Sequence, residues 1–245
     1  RYGYQMEGSN KVMGSFLNCI SPLREVVGGR VRWLDAEERG RLLDVGCGNG
    51  SFLDQMRHLG WEVAGVEPDG EAVAVARKRF GLEIFKGSLD EAGFSDESFD
   101  AITMNHVIEH VPDPIELLKE CRRVLKPGGR LWVATPNIKS LGHYKFGEHW
   151  RGLEVPRHLT LFSPGALQSC AESAGLAARV CTSDRSAPWM YAASSLIRRD
   201  GALPGGSPRR TTPWLRMQGR AFLAREHGLF GPRDAGEEIV MVAGR

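Results

Sequence analysis

The chain has 245 residues, of which 42% are hydrophobic and 25% are charged, and its formal net charge is +2. These values are ordinary for a globular protein with a sizeable core, and so small a net charge does not favour nucleic acid as a partner. No apolar run approaches the roughly 20 residues that a membrane span needs. The five cysteines lie far apart and form no CxxC pair, which favours reduced thiols and a cytoplasmic location over disulfides or a zinc site.

Residues 1–39 precede the first predicted strand. Apolar side chains recur at helical spacing from Val12 to Ile20, and Pro22 interrupts the pattern. We predict an N-terminal helical segment here, which either covers an edge of the sheet or forms a lid over the functional site.

The stretch from Leu42 to Leu53, LLDVGCGNGSFL, combines a short apolar strand, three alternating glycines and the start of a helix. Glycines suit a tight strand-to-helix turn, and the helix beyond them presents free backbone N–H groups to a ligand. Asp44 precedes the first glycine at the carboxyl end of the strand, where open α/β sheets bind ligands. The stretch therefore predicts a site for a ligand that contains a nucleoside.

Strands and helices alternate along the rest of the chain. Apolar runs predict strands near residues 42–45, 63–66, 84–85, 99–104, 130–135, 176–181 and 238–243. Helical patterns fill the intervals at 51–60, 70–80, 113–125 and 163–174. Such an alternation predicts an α/β fold with a mostly parallel sheet and helices on both faces.

Residues 184–236 are too many for a plain connection between the last two strands. The part from Asp184 to Arg225 holds eight arginines and two helical patterns, which a link rich in glycine and proline separates. One interpretation is a basic amphipathic cap that contacts anionic substrate groups or a membrane surface. The other is a solvated helical hairpin that covers the sheet, and both interpretations stay open.

The glycine spacing bears on the kind of nucleoside. A dinucleotide site prefers G-x-G-x-x-G, whereas the third glycine here comes one residue early at Gly50 and Ser51 holds the expected position. Glu67 ends the second strand, where a carboxylate can accept hydrogen bonds from both ribose hydroxyls. The spacing disfavours a nicotinamide dinucleotide, although a nicotinamide-dependent oxidoreductase stays as an alternative.

Four motifs occur in order: DVGCGNG, VEPD, SFDAITMNHVIEHVPDP and LKPGGRLWVATPN. Together they resemble the class I S-adenosylmethionine-dependent methyltransferases over about residues 40–182, and the terminal EEIVMVAGR is similar to the final strand of that family. The resemblance implies a Rossmann-like, doubly wound sheet of seven mostly parallel strands with an antiparallel last strand. Its core would comprise residues 40–183 and 237–245, with S-adenosylmethionine as cofactor and S-adenosylhomocysteine as product.

The resemblance also implies the residues that bind the cofactor. Asp44, Gly46 and Gly48 match positions that contact the methionine part and approach the adenosine, while Glu67 matches the ribose acid. The predicted cofactor-binding residues are Asp44, Gly46, Cys47, Gly48, Glu67, Pro68, Ser88, Leu89 and Asn105.

The resemblance places the adenine and the sulfonium of the cofactor near the ends of different strands. Ser88 and Leu89 match positions that read the adenine, although the family usually has aspartate where this chain has Ser88, and Asp90 could share that contact. Asn105 matches the position near the sulfonium that carries the methyl group.

The run His106-Val-Ile-Glu109-His110 also fits H-x-x-E-H, a zinc peptidase signature. Pro112 and Pro114 leave barely a turn and a half of helix for it, and no third ligand stands at a telling spacing. We therefore predict neither a peptidase nor a metal site, although some relatives need a divalent ion to which Glu109 and His110 could contribute.

The segment TPNIKSLGHYKFGEHWRGLEVPRHLTLFSP is similar to the branch that includes ubiquinone-type O-methyltransferases. Asn105 is not followed by Pro-Pro-aromatic, the arrangement of DNA amino-methyltransferases, so we predict a small-molecule acceptor. A hydroxyl acceptor must lose a proton, for which a neutral histidine is suited. His106 is our first candidate for the base and His158 our second. A non-catalytic scaffold that keeps the cofactor fold is a further alternative, and the sequence leaves the acceptor and the oligomeric state open.

Overall fold

The computed structural model describes residue 34 and residues 39–183, 186–201, 213–227 and 234–245. The N-terminal helical segment predicted for residues 1–39 lies almost wholly outside these residues. From Arg39 onward the chain belongs to one compact unit. No helix within the described ranges is long and apolar enough to cross a membrane.

Strands and helices alternate as predicted. The strands are β1 (Arg41–Val45), β2 (Glu62–Glu67), β3 (Ile84–Lys86), β4 (Phe99–Asn105), β5 (Leu125–Pro136), β6 (Ala177–Ser183) and β7 (Glu238–Gly244). The α-helices are α1 (Ser51–His58), α2 (Gly70–Phe80), α3 (Pro114–Val124), α4 (Leu141–Phe146), α5 (Pro164–Ser173), α6 (Ala187–Asp200) and α7 (Pro213–His227). Short 3₁₀ turns lie at Ile108–His110, Gly147–His149 and Arg151–Leu153.

The strands form one seven-stranded sheet in the order β3-β2-β1-β4-β5-β7-β6. The pairs from β3 to β5 are parallel, whereas β7 runs antiparallel to both β5 and β6. This arrangement confirms the predicted Rossmann-like fold with its antiparallel last strand. It also places the start of β7 beside the end of β5, because Glu238 aligns with Pro136.

Strand β5 is longer than the sequence predicted. It begins at Leu125 rather than near residue 130, and Leu125 pairs with Phe99 before the register shifts. The Lys-Pro-Gly-Gly run therefore lies inside an irregular strand instead of forming a separate stop after helix α3. Gly128, at φ 78°, supplies the backbone conformation that such an irregularity needs.

Local signals in the sequence set the helix starts. Asp69 caps α2 by accepting a hydrogen bond from the Glu71 N–H, and Asp113 caps α3 with Pro114 as the first helical residue. The apolar faces of α3 and α5 pack with the sheet in the main core, through Leu118, Cys121, Leu167 and other buried side chains. The packed layers hold the carboxyl ends of β1, β2, β4 and β5 along one edge of the sheet.

Both helices predicted in the insertion are present as α6 and α7. Met190 of α6 packs with Phe146 and Trp150 of the segment after β5, and the Tyr191 ring lies 5.5 Å from the Phe222 ring of α7. The insertion therefore packs against the loop after β5, residues 137–162. Its contact with an anionic substrate or a membrane, and its separate status as a domain, stay predictions.

Candidate active site

The glycine loop after β1 adopts a backbone that suits glycine. Gly46 has φ 68° and Gly48 has φ 54°, in the left-handed region where side chains are strained. A Cβ on Gly46 would lie 2.4 Å from Val107 Cγ2, whereas a Cβ on Gly48 would meet no atom within 4 Å. The N–H groups of Gly46 and Cys47 donate to the Val66 carbonyl. The loop is thus tied to β2 and leaves open space above Gly48.

Glu67 ends β2 next to this loop. Its Oε2 accepts a hydrogen bond from the Gly48 N–H at 2.8 Å, and its Oε1 accepts one from the Asp69 N–H at 2.9 Å. A carboxylate can accept about four hydrogen bonds, so each oxygen keeps a lone pair for a ligand. Pro68 is exposed beside it. The geometry suits the ribose role that the sequence assigned to Glu67.

The two polar residues at the ends of β1 and β4 differ in exposure. Asp44 is buried and accepts a hydrogen bond from the Thr103 hydroxyl at 2.7 Å. Asn105 is exposed as the last residue of β4 and aligns with Ala134 of β5. Asn105 can therefore reach a ligand directly, while the buried Asp44 is tied to β4 through Thr103.

The predicted adenine end lies after β3. The backbone N–H and the hydroxyl of Ser88 both donate to Glu91 Oε2, at 2.8 and 2.9 Å. A hydrogen bond from the Ser88 side chain lowers the pKa of the exposed Asp90 carboxyl, which stays ionised. Leu89 is buried between them. The Ser88 hydroxyl thus faces acidic neighbours, and the exposed Asp90 carboxylate can accept a hydrogen bond from an exocyclic amine.

His106 follows β4 with φ 56° and lies between two carboxylates. Its Nδ1 is 3.2 Å from Glu109 Oε1, and its Nε2 is 2.9 Å from Glu238 Oε1. Burial alone would lower its pKa, but the bonds and charges of the two carboxylates outweigh burial and raise the pKa to about 10. An imidazolium with both nitrogens engaged cannot take a proton. These contacts disfavour His106 as the base, and the choice of base stays a prediction.

His106→Ala is expected to lower the free energy of unfolding by about 2 kcal/mol. The reason is that Glu109, which is 1% exposed, loses its cationic partner. The figure lies below that of a fully buried pair because the His106 side chain is 36% exposed. The folded-state pKa lies above the unfolded value, so this stability is complete below pH 6.5 and disappears as the pH rises through about 10. Urea unfolding of both proteins across this pH range measures the difference.

The matched control for this experiment is His58→Ala. His58 is 73% exposed, so its removal should change the free energy of unfolding little at any pH. A gap between His106→Ala and the parent protein that stays constant through pH 10 would contradict a cationic His106.

His158 lies in a different environment. Its side chain is 5% exposed, and burial lowers its pKa below the ordinary value of 6.5. Its Nδ1 lies 2.7 Å from the Gly152 carbonyl oxygen, which can only accept, so Nδ1 carries the hydrogen. Nε2 then keeps a lone pair. His158 is thus neutral at pH 7 and fits a general base better than His106 does.

The structure brings His158 together with two residues of the H-x-x-E-H run. The rings of His110 and His158 are 4.7 Å apart, and ligand atoms of Glu109, His110 and His158 lie within 4.8 Å of one another. One carboxylate and two imidazoles are donors that a divalent cation accepts. Both Glu109 oxygens already face hydrogen-bond partners, His106 and Thr135, and we include no metal in the proposed function.

Two site residues were missed by the sequence reasoning. Glu238 pairs with His106, and its neighbour Glu237 accepts hydrogen bonds from the Gly142 N–H at 2.7 Å and the Trp150 indole N–H at 2.9 Å. Both precede the apolar run of β7. An antiparallel last strand begins at the carboxyl edge of the sheet, and this consequence of the expected topology would have placed both acids near the site.

The fold and the loop geometry define a class. A glycine loop after β1, an acid that ends β2 and an antiparallel last strand belong to the class I methyltransferase architecture. A family model described as a methyltransferase domain matches residues 23–179, more than half of the chain. The chain therefore belongs to the S-adenosylmethionine-dependent methyltransferases, and the predicted resemblance and cofactor are confirmed.

Two curated proteins are similar to this chain in sequence. The chain is 38% identical over 129 residues to a ubiquinone biosynthesis O-methyltransferase of Xanthomonas oryzae pv. oryzae, which covers 49% of this chain and 52% of that protein. The protein of that name from Paraburkholderia phymatum is 31% identical over 174 residues, which cover 64% and 74% of the two chains. The chain thus spans about half the length of the first of these relatives.

A solved structure supports the fold alone. The crystal structure of an S-adenosylmethionine-dependent methyltransferase from Archaeoglobus fulgidus matches with a TM-score of 0.58 at 21% identity, and the match covers 95% of this chain and 99% of that one.

Proposed function

We propose that this chain transfers a methyl group from S-adenosylmethionine to a hydroxyl oxygen of a small molecule, with His158 as the general base. The observation that carries the proposal is the neutral His158, a half-buried residue whose Nε2 keeps a lone pair beside the residues that follow β4. Both curated relatives are named ubiquinone biosynthesis O-methyltransferases, which supports oxygen as the acceptor atom.

Cofactor binding is assigned to residues that can still accept hydrogen bonds or that leave space for a ligand. Glu67 keeps lone pairs for two ribose hydroxyls, and the space above Gly48 allows close approach to the backbone. Asn105 is exposed at the end of β4, on the side where the methyl group would lie. When bound, S-adenosylmethionine supplies an electrophilic methyl group on a sulfonium. The remaining tasks, alignment and proton removal, belong to the protein.

On the acceptor side, Nε2 of His158 takes the hydroxyl proton as the oxygen attacks. The hydrogen bond from Nδ1 to the Gly152 carbonyl keeps the ring in place, and the nearby Glu109 carboxylate stabilises the imidazolium that forms. Proton transfer of this kind contributes about 10²–10⁴-fold, and alignment of acceptor and methyl contributes up to about 7–11 kcal/mol. Water exclusion falls to the loop from 137 to 162, which carries the buried Phe146 and Trp150.

Calorimetry separates this proposal from a nicotinamide-dependent oxidoreductase. We expect S-adenosylhomocysteine to bind with micromolar or tighter affinity and NADH to give no heat of binding at the same concentration, because the early third glycine disfavours a pyrophosphate site. Binding of NADH without S-adenosylhomocysteine would discard the methyltransferase reading in favour of the oxidoreductase.

An acceptor screen separates an enzyme from a non-catalytic scaffold. Phenols, catechols, sugars and nucleotide-sugars are incubated with S-adenosylmethionine, and S-adenosylhomocysteine release is measured while mass spectrometry locates the added methyl group. We expect turnover of a hydroxylated acceptor. Tight cofactor binding without turnover of any acceptor, together with a cellular role that survives Glu67→Ala, would favour the scaffold.

A further inference from the structure

Glu237 is a buried acid just before β7. It is 3% exposed, and removal of a carboxylate from water is costly unless hydrogen bonds compensate. Two of its bonds come from the segment after β5: the Gly142 N–H donates to Oε1 and the Trp150 indole N–H donates to Oε2. The Glu237 carbonyl also accepts from the Asn137 N–H. Three hydrogen bonds thus join Glu237 to the loop of residues 137–162, which we call the acceptor-side loop.

Trp150, which Glu237 holds through the indole N–H, also contacts the backbone of Gly152. Its side chain is among the largest that are fully buried, and its indole N–H sets the ring plane through Glu237. A Cβ added to Gly152 would lie 2.3–2.5 Å from three carbons of the six-membered part of the ring. The backbone of Gly152 therefore rests directly on the indole, and a tilt of the ring would displace it.

Gly152 in turn contacts the proposed base. Its carbonyl oxygen lies 2.7 Å from Nδ1 of His158 and accepts the hydrogen that this nitrogen carries. That bond selects the tautomer in which Nε2 keeps its lone pair. A continuous series of direct contacts thus runs from Glu237 through Trp150 and Gly152 to His158.

We propose that Glu237 is a positioning residue for His158, and that its carboxylate fixes the imidazole tautomer through Trp150 and Gly152. The inference rests on the proposed function only in the role of His158 as base. The tautomer itself needs no acceptor or turnover to be observed, because two-bond ¹H–¹⁵N spectra distinguish a protonated from an unprotonated ring nitrogen. A wrong choice of base therefore leaves this test intact.

The experiment compares the full chain with four variants, each labelled with ¹⁵N-histidine. His158→Asn assigns the His158 signals among the seven histidines. Glu237→Gln keeps the size of the side chain, but its amide NH₂ replaces one carboxylate oxygen. That NH₂ group then faces either the Gly142 N–H or the Trp150 indole N–H, neither of which can accept a hydrogen bond. Trp150→Phe removes the indole N–H and the ring edge against Gly152. Trp61→Phe is the matched control, since Trp61 is buried and its indole nitrogen has no hydrogen-bond partner among the described residues.

In the parent protein and in Trp61→Phe, we expect His158 to carry its hydrogen on Nδ1. In Glu237→Gln and Trp150→Phe, we expect a shift toward the tautomer that carries hydrogen on Nε2. If catechol is methylated in the screen, Glu237→Gln should also lower kcat about 10- to 100-fold at an unchanged KM for S-adenosylmethionine, with no further loss in the His158→Ala background.

Two results would overturn the proposal. One is an unchanged His158 tautomer in a folded Glu237→Gln variant, or in Trp150→Phe if Glu237→Gln does not fold. The other is an equal shift in Trp61→Phe, which would mean that loss of any buried indole disturbs the ring. Trp150→Phe leaves Glu237 itself in place, so the test survives if Glu237→Gln does not fold.

Discussion

Glu67→Ala is expected to weaken S-adenosylhomocysteine binding by about 10²–10⁴-fold. A carboxylate that accepts hydrogen bonds from two ribose hydroxyls contributes about 1.5–3 kcal/mol for each, and every 1.4 kcal/mol is a factor of about ten in affinity. Alanine also frees the N–H groups of Gly48 and Asp69, which Glu67 holds at 2.8 and 2.9 Å. The glycine loop then loses its tie to the end of β2 at the point where the cofactor would rest.

Calorimetric titration of both proteins with S-adenosylhomocysteine measures this loss. Glu62→Ala is the matched control, because Glu62 begins the same strand but is exposed and pairs with Arg41 at 2.8 Å. We expect that variant to bind as tightly as the parent protein. Glu67→Gln should lie between the two, since an amide oxygen still accepts while the charge is lost. An unchanged dissociation constant in Glu67→Ala would remove Glu67 from the ribose site.

The sequence signals for the cofactor side of the site are local, and the residues predicted to bind the cofactor stay predictions. A strand, three glycines and a helix start follow one another within 42–53, and parallel strands bring their carboxyl ends to one edge. Glu67 stands at the end of its own strand and needed only that rule, whereas the role of Asn105 came with the family resemblance. The seven strands and the antiparallel last strand came with the family resemblance, and the antiparallel pairing of β7 confirms that expectation.

The acceptor side was harder because its contacts join distant parts of the chain. His106 meets Glu238 across 132 positions, and Trp150 meets Glu237 across 87. From the sequence we predicted two histidines as candidates for the general base, His106 first and His158 second. What separates them is the surroundings: two carboxylates hold a proton on His106, whereas a carbonyl fixes the neutral tautomer of His158. No pattern within either segment encodes that difference.

His158→Ala is expected to lower kcat by about 10²–10⁴-fold, the range that a positioned general base supplies. Burial lowers the pKa of His158 below 6.5, and only the neutral imidazole can accept the acceptor's proton. In the parent protein, kcat should therefore rise with pH through that lowered pKa and stay level from pH 7 upward. The variant should lose this acid limb, and its remaining rate should increase with pH as the acceptor hydroxyl itself ionises.

The measurement is a pH profile of kcat for the acceptor found in the screen, with S-adenosylhomocysteine affinity recorded in parallel. Affinity should change less than about twofold, because the base acts on the acceptor and not on the ribose. His149→Ala is the matched control: His149 lies in the same loop, is 39% exposed and approaches only Glu148 at 3.7 Å among the salt-bridge partners found. Its kcat should match that of the parent protein.

The same profile tests whether the cluster of Glu109, His110 and His158 works through protons or through a cation. Because the proposed chemistry needs only the His158 lone pair, dialysis against EDTA should leave kcat of the parent protein unchanged. Loss of activity on chelation, with recovery on added Mg²⁺ or Zn²⁺, would reassign the cluster to a metal. Full activity of His158→Ala, or an acid limb that persists in that variant, would place the base elsewhere. His158 would then serve only to pack the loop through its hydrogen bond to Gly152.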